Sequence, residues 1–423
     1  MPPKDPNHDC RQRCAALAGQ TEGQGMQSHA VSREFVAQMA ILMSAVAVTI
    51  DAALPALGFI GHDLGTTDPN HVQFIISFIF IGMAVGQLFS GPLSDALGRK
   101  PLLFISFLLY LAGTATCLLA SSIEVMLAGR LIQGIAIAGP RVTTISMVRD
   151  LYEGAGMARV MSLVMMVFVA VPIIAPALGQ AILFAASWHA IFVFYLVYAL
   201  LVAVYMAFRL PETLPPERRV PMRAATIISG AREVLTHRQA ASYMLAFSCI
   251  YGAFVGFLSS CQQIYQVQYD KGAAFVIFFA VQAFGFGFAS MTNSRIVYRL
   301  GMRFVSNLGL AVMIGTSALM FVLALVQPVP FALFFAYGVT LLFCFGLMFG
   351  NLQALAMQPM GHIAGMASAI IGTVSTIVAI ALATIIGQSY DGTLKPVVLG
   401  FGLLGTLAWL FMRFAERRGP QAG

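Results

Sequence analysis

Apolar residues in this chain gather into long blocks separated by short polar joins. Twelve blocks can be drawn, over residues 35–60, 71–91, 101–120, 123–147, 160–185, 189–209, 239–264, 273–292, 303–326, 329–353, 362–388 and 394–413. A helix needs about 20 apolar residues to cross a bilayer, so each block predicts one membrane-spanning helix. Ten-residue segments of strictly alternating polarity are absent, which argues against a transmembrane β-barrel. Tight turns are expected at Ser121-Ser122 and Gln327-Pro328. One long polar join, 210–238, divides the spans into six and six. The expected architecture is therefore all-α and integral to the membrane, with twelve helices in two six-helix halves. The expected division is a tail over 1–34, a first half over 35–209, a central loop over 210–238, a second half over 239–413 and a tail over 414–423.

Composition agrees with this class. The 423 residues are 59% hydrophobic and 10% charged, with mean hydropathy +0.84. A soluble domain carries about 25% charged residues. With the N-terminus placed in the cytoplasm, twenty of the 24 lysines and arginines fall on the inner side. Only Lys271 and Lys395 fall outside, and Arg130 and Arg141 lie within spans. The positive-inside bias predicts a multi-pass protein of the inner (plasma) membrane with both termini cytoplasmic. The net charge of +7 then reflects topology and anionic headgroups rather than nucleic acid. Trp188 and Trp409 fall near opposite interfaces and are expected to be aromatic anchors. The first 33 residues lack the apolar core of a signal peptide and read as a disordered tail, with Met26 an alternative start. His8, Cys10 and Cys14 lie close together there but do not complete a zinc-site spacing. No metal or cofactor is implied, and the scattered remaining cysteines imply no disulfide. No His–carboxylate cluster or nucleophile–base pair falls within a span, so an intramembrane enzyme is not expected.

Asp51 is the exception within the apolar blocks. It is the one acidic residue deep in the first block, and no later block holds another at comparable depth. A charge near the bilayer centre costs a few kcal/mol or more and marks a candidate functional site. Asp51 lies about nine residues before the outer end of its block, and Arg130 about seven after the outer start of the fourth. At 1.5 Å per residue these depths are roughly 13 and 10 Å. The two side chains are expected to approach each other or to share a water network.

Several motifs add chemistry. Gly91 to Pro101, GPLSDALGRKP, closely resembles the signature between the second and third helices of the major facilitator superfamily. Gly91 and Pro92 are expected to end a helix, and Gly98 to allow a tight turn. Asp95, Arg99, Lys100 and Asp150 would then form a charged latch that holds the two halves together on the cytoplasmic side. Arg130 to Gly134, RLIQG, resembles the motif that places an arginine inside the membrane. Ala175 to Gly179, APALG, resembles the antiporter motif, with Ala175 where glycine is usual. Pro172 and Pro176 should bend that helix, and Gly179 should permit close packing. Leu97 to Lys100 and Leu300 to Arg303 repeat at an offset of about 203 residues, which maps Asp51 onto Phe254.

A narrower resemblance covers the whole chain. The segments Asp51 to Leu57, Val148 to Tyr152, Pro211 to Leu214 and Ala364 to Ala369 resemble the Bcr/CflA drug-resistance transporters. That resemblance implies proton-coupled efflux of small organic molecules such as bicyclomycin or amphenicols, and a monomer is expected. Asp51 and Arg130 would serve proton coupling. Phe247, Tyr251, Phe254 and Leu258 share one helix face, and Phe247, Tyr251 and Phe254, with Gln133, are expected to line the substrate cavity. The alternative is a proton-coupled metabolite or nutrient symporter on the same fold.

Overall fold

The computed structural model describes residues 33–66, 68–152, 154–220 and 224–416. His8, Cys10, Cys14 and Met26 lie outside these. Twelve helices are long and apolar enough to cross a membrane: Arg33–Asp63, Asn70–Leu97, Arg99–Leu118, Ile123–Leu151, Arg159–Ala185, His189–Arg209, Arg238–Gln268, Gly272–Leu300, Met302–Val326, Phe331–Ile363, Gly365–Gln388 and Lys395–Glu416. They are called spans one to twelve below. No strand occurs among the described residues.

Several helices outrun their apolar blocks on the side of the chain termini. Span two continues through Pro92 to Leu97, where Gly98 (φ 108°) stops it, so Gly91 and Pro92 do not end the helix. Spans four and eight likewise reach Leu151 and Leu300. The cause is simple: apolar side chains are needed only in the hydrocarbon, whereas the backbone ladder continues wherever its own groups pair. The central join is not wholly irregular either. Ala224–Thr236 is an amphipathic helix whose Gly230 faces Met366 of span eleven, and its Glu233 meets His362 at 2.6 Å.

Glycine sets the closest approaches. A Cβ on Gly82 of span two would lie 2.1 Å from the Leu131 carbonyl, and one on Gly134 of span four 2.1 Å from that of Ile79. Membrane helices gain contact through such small residues because lipid supplies no hydrophobic drive between them. The halves meet where span two packs along span eleven and span five along span eight. Gly98 and Gly301, at equivalent joins in the two halves, share a positive-φ extended conformation (φ 108°, ψ 163° and φ 79°, ψ 149°). The short sequence repeat therefore marks a repeated turn.

Trp188 is not an interface anchor. It is buried, donates from Nε1 to Asp63 at 2.8 Å, and packs against Phe192. Trp409 stays partly exposed beneath the Arg413 guanidinium, 5.1 Å from its ring centre.

Candidate functional site

Span one is broken at its one buried acid. The α-helix runs from Arg33 to Asp51, gives way to a turn and a 3₁₀ segment at Leu54–Ala56, and resumes at Leu57–Asp63. Pro55 carries no N–H, so the regular ladder cannot run through it. Such breaks persist in membranes only where protein groups satisfy the backbone. Here Arg130 Nη1 donates to the Thr49 carbonyl at 3.2 Å, and the Tyr195 hydroxyl donates to the carbonyls of Val48 and Thr49 at 3.2 and 3.3 Å. Gly179 of span five backs the break from the other side: a Cβ there would lie 1.9 Å from the Ala52 carbonyl. Pro172 and Pro176 stand inside a continuous helix, Gly154–Ala185, whose Gly179 seats the irregular part of span one.

Asp51 is buried, 5% exposed, and is the sole aspartate or glutamate in that state among the described residues. No ion pair or hydrogen bond engages its side chain among those residues. It lies within electrostatic reach of Cys261 on span seven and Tyr195 on span six. The expected direct approach of Arg130 is not made. Arg130 is fully buried, 4.9 Å from the Phe192 ring centre, and is held by Thr49 and by Gln133 Oε1 at 3.2 Å. Its Nε and Nη2 have no hydrogen-bond partner among the described residues. Sequence depth put the two residues at the right height; the rotation of span four turns the guanidinium onto the backbone before the break instead.

Gln133 departs from its expected place. Its Nε2 donates to Thr114 Oγ1 at 2.7 Å, and its backbone packs on Gly113, so it joins spans three and four inside the first half. It does not line a central cavity. The aromatic stripe of span seven does face a cluster. Phe247 stacks on Tyr251 at 5.7 Å, and Phe349 of span ten lies edge-on to Phe247, Tyr251 and Phe254 at 5.4, 5.8 and 5.4 Å. Phe80 of span two closes on Tyr251 at 6.0 Å, which carries the cluster across to the first half.

The charged motif at the terminus side is tightly built. Arg99 is buried and forks onto Asp150, Nε to Oδ2 at 2.8 Å and Nη2 to Oδ1 at 3.2 Å. Its Nη1 reaches Asp95 at 2.6 Å and Ser94 at 2.9 Å. Glu212 accepts from the backbone N–H groups of Arg99 and Lys100, each at 3.0 Å, and so caps span three from the far end of span six. Lys100 Nζ donates to the Ala207 carbonyl at 2.8 Å, and Thr213 donates to Asp150 at 2.9 Å. Every partner belongs to the first half or the segment after span six. Among the described residues the cluster therefore braces one half and does not latch the two together; Glu153, the other acidic residue expected within reach of Arg99 at the end of span four, lies outside them. Across the halves here, Arg149 Nη1 would lie 3.4 Å from a Cβ on Gly365 of span eleven.

The opposite end is held by direct polar contacts between halves. Gln73 Nε2 donates to Gln263 at 2.6 Å, Asn70 Nδ2 to the Tyr390 carbonyl at 3.0 Å, and Gln388 Nε2 to the Asn70 carbonyl at 3.0 Å.

One residue escaped the motif reading. Arg141 of span four is partly buried and turned toward the meeting of the halves, with Nη1 3.7 Å from Met83 Sδ of span two. Tyr251 of span seven lies near Arg141, and Thr376 of span eleven lies near Tyr251, without a hydrogen bond joining them among the described residues. Its one sequence signal was that it is a second arginine inside an apolar block.

The family model of the Major Facilitator Superfamily matches residues 39–384. An uncharacterized MFS-type transporter, YdgK of Bacillus subtilis, is 30% identical over 387 residues, covering 88% of this chain and 94% of that protein. A bicyclomycin resistance protein homolog of Haemophilus influenzae is 28% identical over 392 residues, covering 89% and 96%. Among solved structures, a D-xylose-proton symporter superposes with TM-score 0.72 at 14% identity, covering 90% of this chain and 97% of the other.

Proposed function

This chain belongs to the major facilitator superfamily, a family of membrane transporters, and we propose that it exports small organic molecules in exchange for protons by alternating access. The bicyclomycin or amphenicol class is the starting substrate expectation, supported by the name carried by the Haemophilus influenzae relative. The observation that carries the proton role is Asp51: a lone buried carboxylate at a helix break, with no counter-ion to fix its charge. Taking up a proton removes a charge that is costly at this depth. Release of that proton toward the other side returns the carboxylate for the next cycle. Arg130 serves by holding the Thr49 carbonyl before the break, so the carboxylate keeps its position through the cycle.

The protein acts as a monomer in the plasma membrane, with both termini in the cytoplasm, and nucleic acid is not a partner. The polar contacts of Asn70, Gln73 and Gln388 then close the outer side, so the cleft between the halves is to be filled from within. The Arg99 cluster keeps the first half rigid as it rocks. Likeness to a sugar symporter at 14% identity speaks to the fold alone. A nutrient symporter is the competing reading, and the antiporter-like segment of span five weighs toward efflux.

Everted membrane vesicles with an acid interior separate the two. Adding an exported substrate should draw protons out of the lumen and accumulate the substrate inside. A symporter would instead accumulate its substrate only in right-side-out vesicles driven by an inward proton gradient, and that result would refute export.

A further inference from the structure

This inference rests on the reading as an exporter of small organic molecules and departs from the uncharged bicyclomycin or amphenicol class taken as the starting expectation, because Arg141 places a cation at the meeting of the halves. We infer that the central cleft takes an organic anion, with its acidic group on Arg141 and its planar apolar body against the aromatic cluster of span seven. Arg141 lies ten residues from the terminus-side end of span four, a depth of roughly 15 Å. A guanidinium there is costly unless a partner offsets it. Its neighbours are neutral: Met83, Tyr251 and, through Tyr251, Thr376. No carboxylate lies within ion-pair distance among the described residues. This contrasts with Arg99, whose two carboxylates take up its fork.

Adjoining polar groups point the same way. Gln87, one turn from Met83 on span two, is buried at 6% exposure, and its Nε2 makes no hydrogen bond among the described residues. Thr373, one turn from Thr376 on span eleven, is buried at 5% with its hydroxyl equally unpartnered. Gln87 and Arg141 come from the first half; Tyr251, Thr373 and Thr376 come from the second. Spans two and eleven touch here, since a Cβ on Gly372 would lie 2.9 Å from Gln87 Oε1. The site thus straddles the halves and offers a guanidinium, an amide N–H₂ and hydroxyls, a set rich in donors. Arginine's planar fork suits a carboxylate, sulfonate or phosphonate. The stacked Phe247 and Tyr251 beside it suit a flat apolar body. A cationic cargo would meet like charge. Asp51 stands roughly 12 Å farther from the terminus side than Arg141. Proton and cargo therefore occupy different groups and communicate through the movement of the halves.

The test is equilibrium binding to purified protein in lipid nanodiscs, with three probes sharing one ring: 2-naphthoate, 2-naphthamide and 2-naphthylmethylamine. The acid should bind at least tenfold tighter than the amide, and the amine most weakly. Arg141→Gln should bring acid and amide to equal affinity, while Arg141→Lys keeps part of the preference. Thermal unfolding in the nanodiscs reports on folding. If Arg141→Gln does not fold, Gln87→Leu and Thr373→Val should each weaken the acid and leave the amide unchanged. Equal binding of acid and amide by the wild type, a preference that survives Arg141→Gln, or no binding of any probe at millimolar concentration would overturn the inference. Because binding needs no gradient, its outcome is independent of whether protons drive export.

Discussion

Arg99, Arg130 and Arg141 differ in what their surroundings do with the charge. Arg99 is neutralised: its fork onto Asp150 and its reach to Asp95 make it a brace. Removing one member of a buried pair leaves the other exposed to a desolvation cost of about 3 kcal/mol or more. Arg99→Ala should therefore destabilise the protein by about 3 kcal/mol in detergent unfolding, and Arg99→Lys should recover only part, because an ammonium cannot fork. Gly98→Ala should lower stability as well, since φ 108° is strained for alanine and its Cβ would come 2.7 Å from Glu212. A Gly98→Ala protein as stable as the wild type would contradict the role given to Glu212 as a cap. Arg130, by contrast, spends its charge on the backbone before the break. Asp51, Arg99 and Asp150 were legible in the sequence because a charge in an apolar block or a long motif is conspicuous. The direction of Arg130 and Gln133 was not. Counting residues along a helix gives height in the membrane, whereas partner choice depends on rotation about the axis, which neighbouring helices set.

At the scale of elements, the break in span one joins two motifs that looked separate. The segment from Asp51 to Leu57 leaves the helical path, and Gly179 of the antiporter-like segment receives the Ala52 carbonyl. Gly179→Val would push the two spans apart at that point. Transport should fall at least tenfold, while the protein still inserts and resists unfolding at moderate temperature, as fluorescence size-exclusion of the solubilised protein can check. Normal transport by Gly179→Val would show that the close packing at the break is not needed. Pro55 announced irregularity in the sequence, but a proline alone does not say whether a helix kinks or breaks. The helix ends are hidden from the apolar pattern for another reason. Hydropathy marks where lipid ends, whereas Leu97, Leu151 and Leu300 are set by capping and turn geometry beyond the lipid. Ala224–Thr236 hid in a polar join because an amphipathic helix has no apolar block to reveal it.

For the whole molecule, the six-and-six division and the twelve spans were readable from blocks, joins and charge. The relation between the halves was not, because it rests on single contacts such as Gln73 with Gln263. Those contacts make a prediction. Gln73→Cys with Gln263→Cys, bridged by a short bis-thiol reagent, should arrest transport, and the single variants treated alike should not be arrested. Continued transport by the bridged protein would mean that this end need not open. Outward movement of an anion against one proton moves two charges in the favourable direction, each contributing roughly 2.3 kcal/mol per 100 mV. Export should therefore rise with membrane potential even when the pH gradient is abolished, which valinomycin-set potassium gradients in proteoliposomes can measure.

The central claim is that Asp51 carries the proton. Its most direct test is proton movement across proteoliposomes holding purified wild type or Asp51→Asn, read with an internal pH dye while substrate is added. The wild type should show a substrate-dependent proton flux and uphill transport. Asp51→Asn should show neither, yet still exchange labelled for unlabelled substrate down its gradient. A substrate-dependent proton flux of wild-type size in Asp51→Asn would contradict the account.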